Sequence, residues 1–290
     1  MNTVAIGTHR IGTMDFDPAK LARQNDAILG LAMHHIADGV GDYMLVHLWY
    51  GAGSEKQDAS SKVRRKLAYI DRQIEHTFKL EHIQLVRVFA ARRGGYIRPH
   101  RDFAGSSLPW NRVHIPIQTN DACLSSEDDV VYHMGIGEIW LFDGSRPHSG
   151  IALSETMRLH LIIDFVPHVP VPELFRDRRG YQSIPLCRVV ERPPFTAGDL
   201  ATIHRLSEIV TEANFSRVAD VLGTIHFEKR VSCAAMYDWL IEIARQSGDS
   251  GLIERAEELK RVCVRASLAE VPSMAAGGKR AVARSAEKSV

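Results

Sequence analysis

The segment SRPHSGIALSETMRLHLIIDF, residues 145–165, holds two apolar runs on either side of Ser154-Glu155-Thr156, a turn-like trio. If the runs form a hairpin centred on Glu155, positions equidistant from it face each other and every even-numbered residue falls on one side. His148, Arg158 and His160 then share a face, while Leu159, Leu161, Ile163 and Phe165 form the apolar packing face of a strand. His148 comes opposite Ile162, about 13 Å along the sheet from Arg158 by strand rise alone. A small dianion and an arginine side chain would fill that gap.

The same strand pattern extends upstream. Between residues 83 and 166 the runs IQLVRVFAA, RVHIPIQT, DVVYHM, GEIWLF, SGIAL and MRLHLIIDF alternate with Gly, Asp, Asn, Ser and Pro clusters, which predicts a barrel or jelly roll. VPHVPVP, at 166–172, carries three prolines and ends the sheet region. Earlier, Asp17 and Pro18 open a helix reading through LARQNDAILGLAMHHI, YMLVHLWYG follows as a strand, and VRRKLAYIDRQIEHTFKL reads as a second helix. Later, DLATIHRLSEIVTEANF, SRVADVLGTIHF, MYDWLIEIARQSG and SGLIERAEELKRVCVRAS show helical periodicity, with Gly223 and Gly248 as stops. The expected organisation is a mainly β domain with N-terminal helices over 1–172, a helical subdomain over 173–268 and a disordered tail over 269–290. No internal repeat is evident.

Composition narrows the function classes. The 290 residues carry 36 basic and 35 acidic side chains and 45% hydrophobic residues, enough for a real core but without the positive excess expected of a nucleic-acid binder. A small-molecule partner is expected, no membrane association, and self-association is left open. Cys123, Cys187, Cys233 and Cys263 are scattered without a CxxC pair, which argues against a disulfide framework or thiolate zinc site and fits a reducing cytoplasm. No secretory signal or apolar run long enough to span a membrane is found.

The chemistry begins at IRPHRDFAG, residues 97–105. With 14 histidines and 18 aspartates, a His-x-Asp such as His100-Arg101-Asp102 is expected about once by chance. In an extended segment, however, residues i and i+2 project to the same side and can reach one ion. His148 would complete a two-histidine, one-carboxylate set, which leaves open positions on a non-haem Fe(II) for substrate and O₂. Zinc could use the same ligands, but gives no reason for an arginine ten residues after the last histidine. Arg112 and His114 in NRVHIPI form another same-face pair. In isolation they read as a salt bridge and a core histidine.

PHRDF, RVHI, VYHMGIGEIWLFD, PHS, MRLHLIIDF and the later AMYDWL together resemble the bacterial 2-oxoglutarate-dependent proline hydroxylases, cis-3 and cis-4 types, within the aspartyl/asparaginyl β-hydroxylase group. The resemblance runs from about residue 83 to 263 and implies a double-stranded β-helix, a cupin-like jelly roll. It implies Fe(II) held by His100, Asp102 and His148, with Arg158 on the distal carboxylate of 2-oxoglutarate and His114 beside that cosubstrate. Arg112 would take the α-carboxylate of a free amino acid, L-proline or a close analogue. His133 matches a family position too. Turnover would consume O₂, release succinate and CO₂, and be supported by ascorbate. The alternatives are a hydroxylase of another free amino acid or of a peptidyl residue, and a non-catalytic β-barrel binding module.

The chain departs from that family in two places. Arg98 stands where the proline enzymes carry an apolar residue; it either turns outward at Pro99 or adds positive charge to the site. The loop AGSSLPWN, residues 104–111, differs in composition, and Trp110 could reshape the pocket. Trp140 and Phe142 read as core or sheet-face residues, and Trp239 as packing within the helical part.

Overall fold

The computed structural model describes residues 7–31, 34–37, 42–50, 57–92, 94–102, 111–153, 155–184 and 188–265. The expected tail at 269–290 and the loop carrying Trp110 lie outside these residues. In chain order the strands are β1 (His9–Thr13), β2 (His34–Ala37), β3 (Asp42–Tyr50), β4 (Ile83–Ala91), β5 (Gly95–His100) and β6 (Arg112–Gln118), then β7 (Cys123–Glu127), β8 (Val130–Tyr132), β9 (Glu138–Phe142), β10 (His148–Ala152) and β11 (Arg158–Phe165). The α-helices are α1 (Pro18–Leu29), α2 (Gln57–Lys66), α3 (Ala68–Thr77), α4 (Val171–Leu174), α5 (Ala197–His204), α6 (Phe215–Glu228), α7 (Ala235–Ser247) and α8 (Ser250–Lys260). Among the described residues no helix is long and apolar enough to cross a membrane.

All strand pairings are antiparallel, in two sheets ordered β1-β9-β6-β11-β4-β3-β2 and β5-β10-β7-β8. This is the double-stranded β-helix, with its larger sheet extended by β1, β3 and β2. Leu159, Leu161, Ile163 and Phe165 of β11 join Val113, Ile115, Val86 and Val88 in a core that also takes Leu21 and Ile28 from α1 and Ile70 and Ile74 from α3. The N-terminal helices therefore cover the outer face of the large sheet. The inner face is left to line a cavity.

The hairpin expected around Glu155 does not form. Strand β10 pairs with β5 and β7, whereas β11 pairs with β4 and β6 in the other sheet. His148 lies opposite His100 and Glu127 rather than Ile162. Alternation fixes which residues share a face but not which strand is the neighbour. The short connection crosses between sheets, so the even-numbered residues of both runs meet across the interior.

Two further boundaries differ from expectation. Helix α1 ends at Gly30, whose N–H caps Asp26 and Ile28, and His34–Ala37 forms β2 against β3 instead of prolonging it. Gly223 does not stop a helix but sits inside α6, where a β-carbon would overlap the Tyr96 hydroxyl. Its absent side chain lets α6 approach β5. Gly248, with φ 76°, does end α7.

The helices from α5 onward have their own apolar core, which includes Phe215, Leu222, Tyr237, Leu240 and Leu252. Trp239 stacks on Phe195 within it, ring centroids 4.8 Å apart. They dock on the smaller sheet: Ser126 Oγ and His226 Nε2 are 2.8 Å apart, and Arg98 pairs with Asp220 of α6 at 2.6 Å. None of these helices contributes a residue to the cavity wall.

Candidate metal centre and cosubstrate site

A cavity of about 280 Å³ opens between the sheets, and among the described residues lining it Asp102 is the one carboxylate, against Arg87, Arg101, Arg112 and Arg158. At one end His100, Asp102 and His148 converge, their ligand atoms all within 4.8 Å of one another. Pairing of β5 with β10 sets His100 directly beside His148 and brings their ring centroids to 4.2 Å. Asp102 follows just beyond β5, its backbone N–H bonded to the Gly144 carbonyl at 2.8 Å. A β-carbon on Gly144 would fall 2.7 Å from Asp102 Oδ2, so glycine there leaves room for the carboxylate.

The donor set suits a divalent ion. His100 Nε2 and His148 Nε2 lie 3.4 and 3.6 Å from Asp102 Oδ1. Donors at right angles on an ion with bonds of about 2.1 Å would be about 3 Å apart, so only a small contraction is needed. Each imidazole also places Nδ1 2.9 Å from the carbonyl two residues earlier, Arg98 O and Arg146 O. Those bonds commit the proton to Nδ1 and aim the Nε2 lone pairs inward. Arg112 occupies Asp102 Oδ2 and leaves Oδ1 for the ion.

Charge follows the same logic. Burial alone would raise the Asp102 pKa, but the His100 and His148 rings beside it and the Arg112 charge hold it well below the usual carboxylate range. Burial and the neighbouring His148 depress His100. The resting set is thus an ionised carboxylate with an imidazole disfavoured as a cation, as metal binding requires.

Across the interior stands Arg158, only 6% exposed. Its Nη2 donates to Ser125 Oγ at 2.8 Å and its Nε to His160 Nε2 at 3.0 Å. Among the described residues no carboxylate lies within ion-pair distance. Burial pulls its pKa down, and Cys123 and Tyr132 offset this only in part. His160 and His114 are held well below their usual pKa, chiefly by burial and then by arginines, Arg158 for His160 and Arg112 and Arg158 for His114. A β-carbon at Gly150 would lie 2.6 Å from Arg158 Nη1. The guanidinium therefore reaches β10 two residues beyond His148, about 7 Å along that strand.

The remaining wall holds His114, which stacks on Phe142 at 4.4 Å and meets His160 edge-on at 5.9 Å. Phe142 also abuts His148. This ring, read from sequence as a sheet-face residue, is part of the site. Arg112 donates through Nε to Asp164 Oδ1 at 2.5 Å, and Arg87 Nη2 meets Asp164 Oδ2 at 3.0 Å.

Sequence-derived positions thus divide. His100, Asp102, His148, Arg158, His114 and Arg112 all line one cavity. Arg98 does not. The register between β5 and β10 slips at Arg98-Pro99, so Ile97 and His100 both point inward while Arg98 turns to Asp220. Of the two readings of Arg98, the outward turn at Pro99 is the one observed, and its charge is paired with Asp220. His133 also lies outside the lining, with Nδ1 3.0 Å from the Cys123 carbonyl. Arg87, Ser125 and Tyr43 were not foreseen as site residues, and His160 was placed on the correct face without a role. A lone serine, tyrosine or arginine in a strand carries no spacing signal.

Residues 42–167 match the aspartyl/asparaginyl beta-hydroxylase family model, and residues 172–267 match that for the C-terminal part of L-proline 3-hydroxylase. The chain is 30% identical over 268 residues to an L-proline cis-4-hydroxylase of Rhizobium meliloti (strain 1021), a similarity spanning 88% of this chain and 95% of that protein. It is 27% identical over 277 residues to L-proline cis-3-hydroxylase 2 of a Streptomyces species, spanning 89% and 95% respectively. Among solved structures it is similar to the non-haem α-ketoglutarate-dependent epimerase SnoN, with 13% identity, TM-score 0.39, and coverage of 67% of this chain and 92% of that one.

Proposed function

The chain belongs to the 2-oxoglutarate-dependent proline hydroxylases, and from that premise we propose that it hydroxylates free L-proline, using Fe(II), 2-oxoglutarate and O₂ and releasing succinate and CO₂. The observation that carries the cosubstrate assignment is Arg158, a buried cation with neutral partners and, among the described residues, no carboxylate. Such a charge is costly unless an anion completes it. A dicarboxylate meets that need, its far end taken by the guanidinium fork and its keto-acid end directed to the metal.

In this reading His100, Asp102 and His148 hold Fe(II), which when bound would supply the oxidative decarboxylation that drives C–H hydroxylation. The protein's residues bind and orient. Ser125 and His160 fix the Arg158 plane, His114 and Phe142 wall the cosubstrate's flank, and Arg112 presents the substrate carboxylate's partner. Arg87, sharing Asp164 with Arg112, keeps that wall positive. A substrate clamped at its carboxylate offers a fixed carbon to the oxidant, so positioning sets the carbon attacked. The buried free thiols of Cys123, Cys233 and Cys263 fit a cytoplasmic enzyme.

The test is succinate formation from 2-oxoglutarate with Fe(II) and ascorbate across a panel of free amino acids and a proline-containing peptide. L-Proline should give the largest stimulation. Turnover with the peptide alone would sink the substrate assignment, and stimulation by a different amino acid would redirect it.

A further inference from the structure

The tripeptide Arg-Pro-His occurs twice, as Arg98-Pro99-His100 and Arg146-Pro147-His148, and each copy ends in a histidine of the metal set. The copies are built alike. In each, the histidine Nδ1 lies 2.9 Å from the arginine carbonyl two residues back. In each, the carbonyl of the intervening proline accepts a hydrogen bond from the segment 233–237, at and just before the start of α7. Tyr237 donates its hydroxyl to Pro99 O, and Cys233 Sγ lies 3.4 Å from Pro147 O. Both donors are buried.

Other contacts reinforce the clamp. The Arg101 N–H, between His100 and Asp102, donates to the Cys263 carbonyl at 2.9 Å. Pro147 O also accepts from the Asp128 N–H, while Asp128 O receives the Cys233 N–H at 2.8 Å. Pro99 sits where the β5–β10 register slips, so the regular ladder does not by itself fix its peptide plane. A hydroxyl from outside the barrel does so instead. The peptide held by Tyr237 is the one from which the His100 side chain departs.

With His100, Asp102 and His148 taken as the metal ligands, as above, we infer that Tyr237 is a positioning residue for the metal centre. Its bond to Pro99 sets the aim of His100, and Cys233 does the same at Pro147 for His148. The helical subdomain thus acts on the chemistry from behind the ligand strands and not as a cover over the cavity. Cys233 is the weaker arm, because Pro147 O keeps a second donor.

The test titrates the metal-free full-length protein with Co(II), followed by calorimetry and by the Co(II) visible spectrum, with the apo melting temperature recorded for each variant. Tyr237→Phe should bind Co(II) about 10-fold more weakly with altered bands, at the lower end of the range for groups that orient metal ligands. Cys233→Ala should show a smaller loss, and Cys233→Ser, which restores a donor, should recover it. Trp239→Phe, on the same helix but packed on Phe195, should leave affinity unchanged. Wild-type affinity and spectrum in Tyr237→Phe would overturn the inference, as would an equal loss in Trp239→Phe. If Tyr237→Phe does not fold, the Cys233→Ala and Cys233→Ser pair decides. His100→Ala separates the two levels: unimpaired Co(II) binding there would instead remove the metal-site assignment.

Discussion

Replacing Arg158 with methionine should move stability and cosubstrate affinity in opposite directions. In the ligand-free protein Arg158 is 6% exposed and, among the described residues, its guanidinium is bonded only to a hydroxyl and a neutral imidazole. Keeping an unpaired ion there costs several kcal/mol. Methionine fills similar space without charge, at the expense of leaving His160 Nε2 without its donor, about 1–3 kcal/mol. The apo protein should therefore be no less stable, and by about 1–2 kcal/mol more so, a rise of about 2–4 °C in melting temperature per kcal/mol. Binding should suffer heavily: losing the buried cation opposite a carboxylate is worth about 3–5 kcal/mol, or about 10²- to 10⁴-fold in 2-oxoglutarate affinity. Thermal melts of metal-free protein and calorimetric titration with 2-oxoglutarate in the presence of Mn(II) read both quantities. A melting temperature several degrees lower, with 2-oxoglutarate affinity within about three-fold of wild type, would show that Arg158 is a structural prop and refute the clamp.

Three other perturbations probe separate parts of the site. Gly144→Ala puts a methyl group against the Asp102 carboxylate and should weaken Co(II) binding at least about 10-fold with little change in apo melting, measured by the same titration. Asp220→Asn removes the partner of Arg98, and because Asp220 is half exposed it should cost under about 1 kcal/mol and leave the amino-acid KM within two-fold; a large KM change would return Arg98 to the substrate site. His226 is buried and its pKa is pulled down to about 3, chiefly by burial. The unfolded chain therefore takes up a proton below about pH 6.5 that the folded protein refuses, and stability falls with pH from there toward pH 3. Between pH 7 and 5 His226→Gln should lose about 2 kcal/mol less than wild type in denaturant melts, and parallel losses would exclude this group as a source of acid sensitivity.

Much of the barrel was legible because strand alternation is a local property. Leu159, Leu161, Ile163 and Phe165 read as the packed face of β11 and are so, and the cavity-facing parity of His148, Arg158 and His160 follows from the same rule. The pairing was not legible. A five-residue connection between β10 and β11 is compatible with a hairpin and with a crossing between sheets, and only the packing of the other strands selects the crossing. Arg98 takes the outward of its two sequence readings, since the slip at Pro99 reverses the direction that strict alternation would give it. Gly223 shows the limit of breaker rules: the space it leaves is claimed by Tyr96 from another part of the chain. Phe142 and His160 have no spacing that separates a cavity wall from a core.

The crossing between β10 and β11 has a consequence for selectivity. In the proposed function, strand β10 carries a metal ligand, His148, on one sheet and, ten residues later in sequence, β11 carries the anion-binding Arg158 on the other. A cosubstrate joined to both becomes a strut across the sandwich. Its permitted length is set by the reach of the Arg158 side chain across the interior, which brings the guanidinium to Gly150 of β10, two residues beyond His148. On that reading, diacids one carbon shorter or longer should bind more weakly than 2-oxoglutarate, and a bound keto acid would tie the two sheets together.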